Sequence, residues 1–178
     1  MLASSLRGLQ ERVRREIPER FHYPRILSVL ALQEEIGELL EEFSEAQSDA
    51  RVAAIDSELG DVLLSCIEIA NAFELKLEPS EIVDVSEPDA ITTRLCIASA
   101  RVSKQCLEIE GFDRPHHDEL LGSLNQLLEQ LSSLALYLKI DLVAAFENKF
   151  RKILSRIEDG TWDRLYGNSL ITKREKFD

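Results

Sequence analysis

Four acidic side chains stand in two pairs of equal spacing: Glu35 and Glu38, then, after 19 intervening residues, Glu58 and Asp61. A separation of three puts both members of a pair on one helical face. If the two segments are neighbouring antiparallel helices, four carboxylates converge, and they repel unless they take up protons or share a divalent cation. An all-oxygen set suits a hard ion, Mg²⁺ or Mn²⁺. The plainer explanation is that 33 Asp and Glu in a helical chain produce such spacings on solvated faces. Two features weigh against it. Gly37 and Gly60 lie inside the two motifs, and a helical glycine costs roughly 1 kcal/mol relative to alanine, so both predict close approach of another element. Leu32, Ile36, Leu39, Leu59, Val62 and Leu63 also crowd the acids with apolar neighbours. A ferritin-like di-iron centre would need Glu-x-x-His, and none of His22, His116 and His117 has that spacing.

Helices must position these groups. Leu6, Leu9, Val13 and Ile17 recur at helical spacing over 4–16, ending at Pro18. A second helix begins after Pro24, carrying Ile26, Leu30, Ile36, Leu39 and Phe43. A polar turn near Ser48 and Asp49 leads to a third over 52–73, antiparallel to it. Pro79, Ser80, Ser86 and Pro88, with no Lys or Arg among the acids, mark 79–93 as a linker. Helices are then expected over 90–110 and 118–138, separated by a turn at 111–115, and over 141–158 with Asp141 as N-cap. The tail 161–178 holds Trp162 and Tyr166 among charges and is expected to pack irregularly.

The fold class expected is all-α, a helical bundle. Only 7 Gly and 5 Pro occur in 178 residues, about 7% where average usage gives roughly 12%, which implies few connections and long helices. Hydrophobic residues make up 44%, enough for a core. With 21 Lys and Arg against 33 Asp and Glu, the net charge is −12. That sign opposes nonspecific nucleic-acid binding, although an anionic small molecule can still bind through a metal. Cys66, Cys96 and Cys106 lack metal-ligand spacing and read as buried thiols in a reducing cytoplasm. The charged start, with Arg7, Arg12, Arg14 and Arg15, has no apolar export segment, and no apolar run is long enough to span a membrane.

Sliding the chain on itself by 65 residues aligns Ile26 with Ile91, Leu30 with Leu95, Leu32 with Ile97, Leu59 with Leu124, Val62 with Leu127, Leu63 with Leu128 and Ala70 with Ala135. Two related helical hairpins follow: 1–78 with the acidic motifs, and 94–160 as a degenerate copy. Under this shift Glu35, Glu38, Glu58 and Asp61 fall on Ala100, Ser103, Ser123 and Gln126, so one metal site per chain is expected in a fused pseudo-dimer.

The paired motif resembles the signature of the all-α nucleoside triphosphate pyrophosphohydrolases, the MazG and dimeric dUTPase superfamily. Residues 20–25, Arg-Phe-His-Tyr-Pro-Arg, leading into Glu35-Ile36-Gly37-Glu38-Leu39, are especially similar to the dCTP pyrophosphatase branch, and Glu58-Leu59-Gly60-Asp61-Val62-Leu63 resembles the second block. The likeness covers about 5–80. It implies that Glu35, Glu38, Glu58 and Asp61 hold Mg²⁺ and that a nucleoside triphosphate is cut between its α and β phosphates. It further implies a Lys and an Arg on a later helix reaching the phosphates. Lys149 and Arg156 match, while Ile153 replaces the family's usual Asn. By the same likeness His22 and Arg25 lie near the nucleotide, and Glu68, two turns past Asp61, takes the place where some relatives read the base with Asn. A carboxylate there accepts from an amino group and favours cytosine, adenine or guanine over uracil. Glu34 or Glu35 would take the proton of the attacking water. Phosphoribosyl-ATP hydrolysis on the same fold and a non-catalytic nucleotide- or metal-binding module are the alternatives. Fusion leaves a monomer or a homodimer where relatives form dimers or tetramers.

Overall fold

The computed structural model describes residues 2–44, 49–79 and 87–162, and every regular element among them is helical. In chain order these are α1 (Leu2–Glu16), a single 3-10 turn (Glu19–Phe21), α2 (Arg25–Ser44), α3 (Asp49–Ala72), α4 (Pro88–Phe112), α5 (His117–Leu138) and α6 (Leu142–Glu158). The expected turn before α3 at Ser48, the middle of the expected linker (80–86) and the tail beyond Trp162 lie outside the described residues. No described helix is long and apolar enough to cross a membrane.

Hairpins α2–α3 and α4–α5 pack on each other through α2 with α4 and α3 with α5, and α1 and α6 lie against α3. The centre of the bundle is α3, whose Ile55, Leu59, Val62, Leu63, Cys66, Ile67, Ile69 and Ala70 are fully buried. A helix enclosed on so many sides reads as a nearly continuous apolar run. α6 instead buries one stripe, Leu142, Ala145, Phe146, Phe150 and Ile153, and leaves a polar face. Asp141 caps it as expected, accepting from the amides of Val143 (3.0 Å) and Ala144 (3.2 Å). Arg12 of α1 pairs with Glu147 and lies 5.2 Å from the Phe150 ring, pinning α6 from outside.

Four expectations change. The segment 88–93 is helical, not linker: Pro88 sits in the first turn of α4 with Asp89 beside it, where proline's missing N–H costs nothing. That helix continues through Gly111 to Phe112, and Asp113 takes the left-handed cap (φ 51°), a conformation Asp tolerates better than most residues. Cys66 and Cys106 are buried but Cys96 is exposed, because it stands one position after Leu95 on α4, off the buried stripe.

The fourth concerns the repeat. A shift of 65 matches buried positions on α3 and α5: Leu59 with Leu124, Val62 with Leu127 and Leu63 with Leu128. On the first helices it fails, since Leu32 is buried and Ile97 is 47% exposed, while Ile26 (46%) and Leu30 (60%) are exposed opposite fully buried Ile91 and Leu95. A shift of 66 restores the match, pairing Val29 with Leu95, Leu32 with Ala98 and Ile36 with Val102, all buried. The second hairpin is one residue shorter between its two stripes, and one residue turns a helical face by about 100°. Under the corrected shift the Gln33 side chain, donating to the Ser99 carbonyl at 3.4 Å, joins two equivalent positions across the α2–α4 seam.

Candidate functional site

The acidic motifs meet where α2 crosses α3. Carboxylate oxygens of Glu35, Glu38 and Glu58 all lie within 4.8 Å of one another, as the spacing predicts for facing helices. Asp61 is 5% exposed and turned to α6, where it pairs with the Lys149 ammonium. The close set is therefore three carboxylates with an adjacent Asp–Lys pair, not four carboxylates around one point. Lys149 reaches Asp61 because α3 and α6 touch at Gly60: a Cβ there would stand 2.7 Å from the Ala145 carbonyl oxygen and 3.3 Å from Lys149 Cβ. Close approach is thus why Gly60 is glycine. Gly37 carries no such constraint, since an added Cβ meets nothing within 4 Å. Its side of α2 faces solvent, so the expectation of close approach there is overturned.

Confinement raises the proton affinity of these acids. Burial, then the neighbouring Asp61 charge, pushes Glu35 up to about 8. The same two causes in the same order push Glu58 to about 7. Burial raises Asp61 as well, opposed by Lys149. The Glu58 carboxyl lies against that of Glu38, and its buried Oε2 atom has no other hydrogen-bond partner among the described residues, although a carboxylate oxygen shielded from water ordinarily finds a donor or a cation. An orphaned oxygen beside two further carboxylates fits a hard divalent ion, and Glu35, Glu38 and Glu58 are the residues that would hold it.

Beside the cluster is a cavity of about 220 Å³, lined by Glu34, Glu35, Glu38, Asp61, Ser65 and Glu68 from the hairpin, Lys149, Ile153 and Arg156 from α6, and Phe21, Tyr23 and Trp162. Glu68 thus stands in the same cavity as Asp61, as two helical turns require, and burial pushes it to about 7. Arg156 joins Lys149 on this wall as the seven-residue spacing implies. The structure does not bring His22 or Arg25 to the cavity. The His22 imidazole is 3.1 Å from the Ile17 carbonyl, and burial holds its pKa below the usual histidine range. Arg25 donates to the Ala72 carbonyl (2.9 Å), pairs with Glu110 (2.8 Å) and covers the Phe73 ring. The 3-10 turn ends at Phe21 and His22 is extended (φ −73°, ψ 134°), so Phe21 and Tyr23 line the cavity while the residue between them does not.

Three wall residues escape a reading of the sequence. Ser65 is one helical turn beyond Asp61, so periodicity alone could have found it. Trp162 meets Phe21 edge to face, with ring centres 6.4 Å apart. Its 141-residue separation from Phe21 leaves no local signal. Tyr23 was legible only as a neighbour of His22.

A second, larger hollow of about 610 Å³ opens on the other side of Lys149 and Arg156, between α3 and the polar face of α6. Compared with known proteins, the chain matches no protein-family model, no curated protein and no solved structure.

Proposed function

We propose that this chain is a Mg²⁺-dependent nucleoside triphosphate pyrophosphohydrolase, with Mn²⁺ as a substitute ion, cutting a nucleotide or deoxynucleotide between its α and β phosphates. The observation that carries this reading is the convergence of Glu35, Glu38 and Glu58, the first two of which line one cavity with Lys149 and Arg156. Crowded acids beside Arg156 and the Asp61-paired Lys149 suit a phosphate bound together with a metal. A divalent ion held by Glu35, Glu38 and Glu58 would neutralise phosphate charge and make the α-phosphorus more electrophilic.

The chain's own residues supply the rest. Water adds its oxygen to the α-phosphorus and gives its proton to a cavity carboxylate, Glu34 or Glu35. The bond from the α-phosphorus to the bridging oxygen breaks, and its electron pair leaves on pyrophosphate. Lys149 and Arg156 stabilise that leaving charge, Arg156 with a fork suited to phosphate oxygens. Phe21, Tyr23 and Trp162 form the aromatic wall for a nucleobase, and Glu68 is the polar group beside it. Glu68 is the residue through which an amino-bearing base is preferred.

Pyrophosphate release from a panel of nucleotides and deoxynucleotides with Mg²⁺ or Mn²⁺ tests the reading. Expected products are a nucleoside monophosphate and pyrophosphate, lost in Glu38→Gln. Turnover of phosphoribosyl-ATP alone would reassign the substrate, and binding without release from any nucleotide would leave a non-catalytic module.

A further inference from the structure

The larger hollow is unlike the rest of this acidic chain. Residues 145, 148, 149, 152 and 156 follow one helical stripe of α6, and the opposite wall is Asp56 and Ser57 of α3. Among the described lining residues Lys149, Arg151, Lys152 and Arg156 give four positive charges against the single Asp56, a balance of +3 in a chain of −12. Lys149 is engaged by Asp61, and Arg151 is held along its own helix by Asn148 (2.6 Å). Lys152 and Arg156 form no ion pair with any described carboxylate. Both hollows share Lys149 and Arg156, and Lys152 lies close enough to Asp61 to act on its charge, so the groove continues from the reacting end of the cavity.

Size and charge divide the work. The narrower 220 Å³ cavity carries the aromatic wall, while the more open 610 Å³ groove carries cations and hydroxyls without aromatics. A phosphate chain crossing Lys149 and Arg156 leaves its far end among Lys152, Arg151 and Ser57. Among the described residues the groove stays open to solvent.

We propose that the α3–α6 groove binds a polyphosphate chain longer than pyrophosphate, with Lys152 as its distal anchor, so that nucleoside tetraphosphates are substrates that release triphosphate. The kinetic half of this rests on the hydrolase reading above. Water's oxygen bonds to the α-phosphorus, its proton passes to a cavity carboxylate, and the bond between the α-phosphorus and the bridging oxygen breaks. The electron pair departs on triphosphate in place of pyrophosphate.

Calorimetric titration with inorganic tripolyphosphate and pyrophosphate, run beside steady-state turnover of nucleoside tri- and tetraphosphates of one base, tests both halves. Lys152 is exposed on α6, so Lys152→Gln is expected to fold, which circular dichroism checks. Tripolyphosphate should bind at least fivefold tighter than pyrophosphate. Lys152→Gln should weaken tripolyphosphate about tenfold, the scale of one charge-assisted contact, and lower kcat/KM for the tetraphosphate at least fivefold more than for the triphosphate. Equal binding of the two anions, a Lys152→Gln effect within twofold, or triphosphate turnover without tetraphosphate turnover each overturns the proposal. Lys152-dependent tripolyphosphate binding with no turnover of any nucleotide upholds the groove and overturns the hydrolase reading instead.

Discussion

The two hairpins have the same architecture and opposite polar contents. With the burial-matched register, Glu35 and Glu38 of α2 correspond to Arg101 and Lys104 of α4, and Glu58 and Asp61 of α3 to Ser123 and Gln126 of α5. Where the first hairpin presses carboxylates together, the second joins Arg101 to Gln126 by a 3.0 Å hydrogen bond. Glu68, raised by burial, corresponds to Ser133, whose hydroxyl donates to the Glu129 carbonyl at 2.9 Å. Gln105 Oε1 on α4 is also buried without a described partner, but no cluster of like charges forms in the second hairpin among the described residues, whereas the first crowds three carboxylates together. Stability alone selects the second arrangement, because like charges brought together out of water cost energy unless something compensates them. The first is therefore where a ligand is expected, and it is also the hairpin that α6 covers with Lys149.

The sharpest way to break this comparison is to neutralise both sides of it. Glu38→Gln or Asp61→Asn should lower kcat/KM for pyrophosphate release by on the order of 10²–10³-fold, the scale seen when preorganised charge is removed from a reacting centre. Gln126→Ala in the other hairpin should stay within twofold. Equal losses from both hairpins would end the claim that only one is a site.

Cation binding comes next. Mg²⁺ at about one hundred times its Kd should add roughly 2.7 kcal/mol, raising Tm by about 5–10 °C for a chain of this size, and Glu58→Gln should remove most of that gain. In the absence of metal, Glu35 near 8 and Glu58 near 7 lie above their ordinary value of 4.5. The folded chain then binds more protons than the unfolded chain between those limits, so stability falls as pH rises from about 4.5 through 8 and levels off above. Saturating Mg²⁺ should flatten that slope. A Tm that climbs with pH across this window without metal would contradict the crowding of the acids.

The two motif glycines give a smaller contrast. Gly60→Ala forces α3 and α6 apart at Ala145 and should cost about 1–3 kcal/mol, with a larger loss of activity as Lys149 moves. Gly37→Ala, on an open helical face, should stabilise by roughly 1 kcal/mol. Thermal melts of the two variants decide this, and a destabilised Gly37→Ala would mean that α2 has a neighbour at that face.

Much of this was open to a reader of the chain. Periodicity placed all six α-helices of the described residues, and Asp141 announced the start of α6 because a capping side chain acts on amides two and three residues away. The i, i+3 acids were legible for the same reason: facing groups on one helix are fixed by the helix itself. The matching of apolar stripes between the two hairpins was legible in outline, but the one-residue difference in shift between α2/α4 and α3/α5 was not. Leucine-rich helices tolerate either register in sequence, and only burial reports which face turned inward.

What the sequence by itself determined is what each helix can present: two acidic pairs, a basic stripe on α6, apolar stripes that demand a bundle, and a shortage of turn formers that makes the helices long. Which of these meet was decided by tertiary packing. Gly60 lets α6 come close enough for Lys149 to reach Asp61 across 88 residues of chain, which reduces the close carboxylate set from four to three. Trp162 reaches the wall of Phe21, and Arg25 goes to Glu110 instead of the cavity, because long-range contacts depend on helix spacing and rotation that no local pattern encodes.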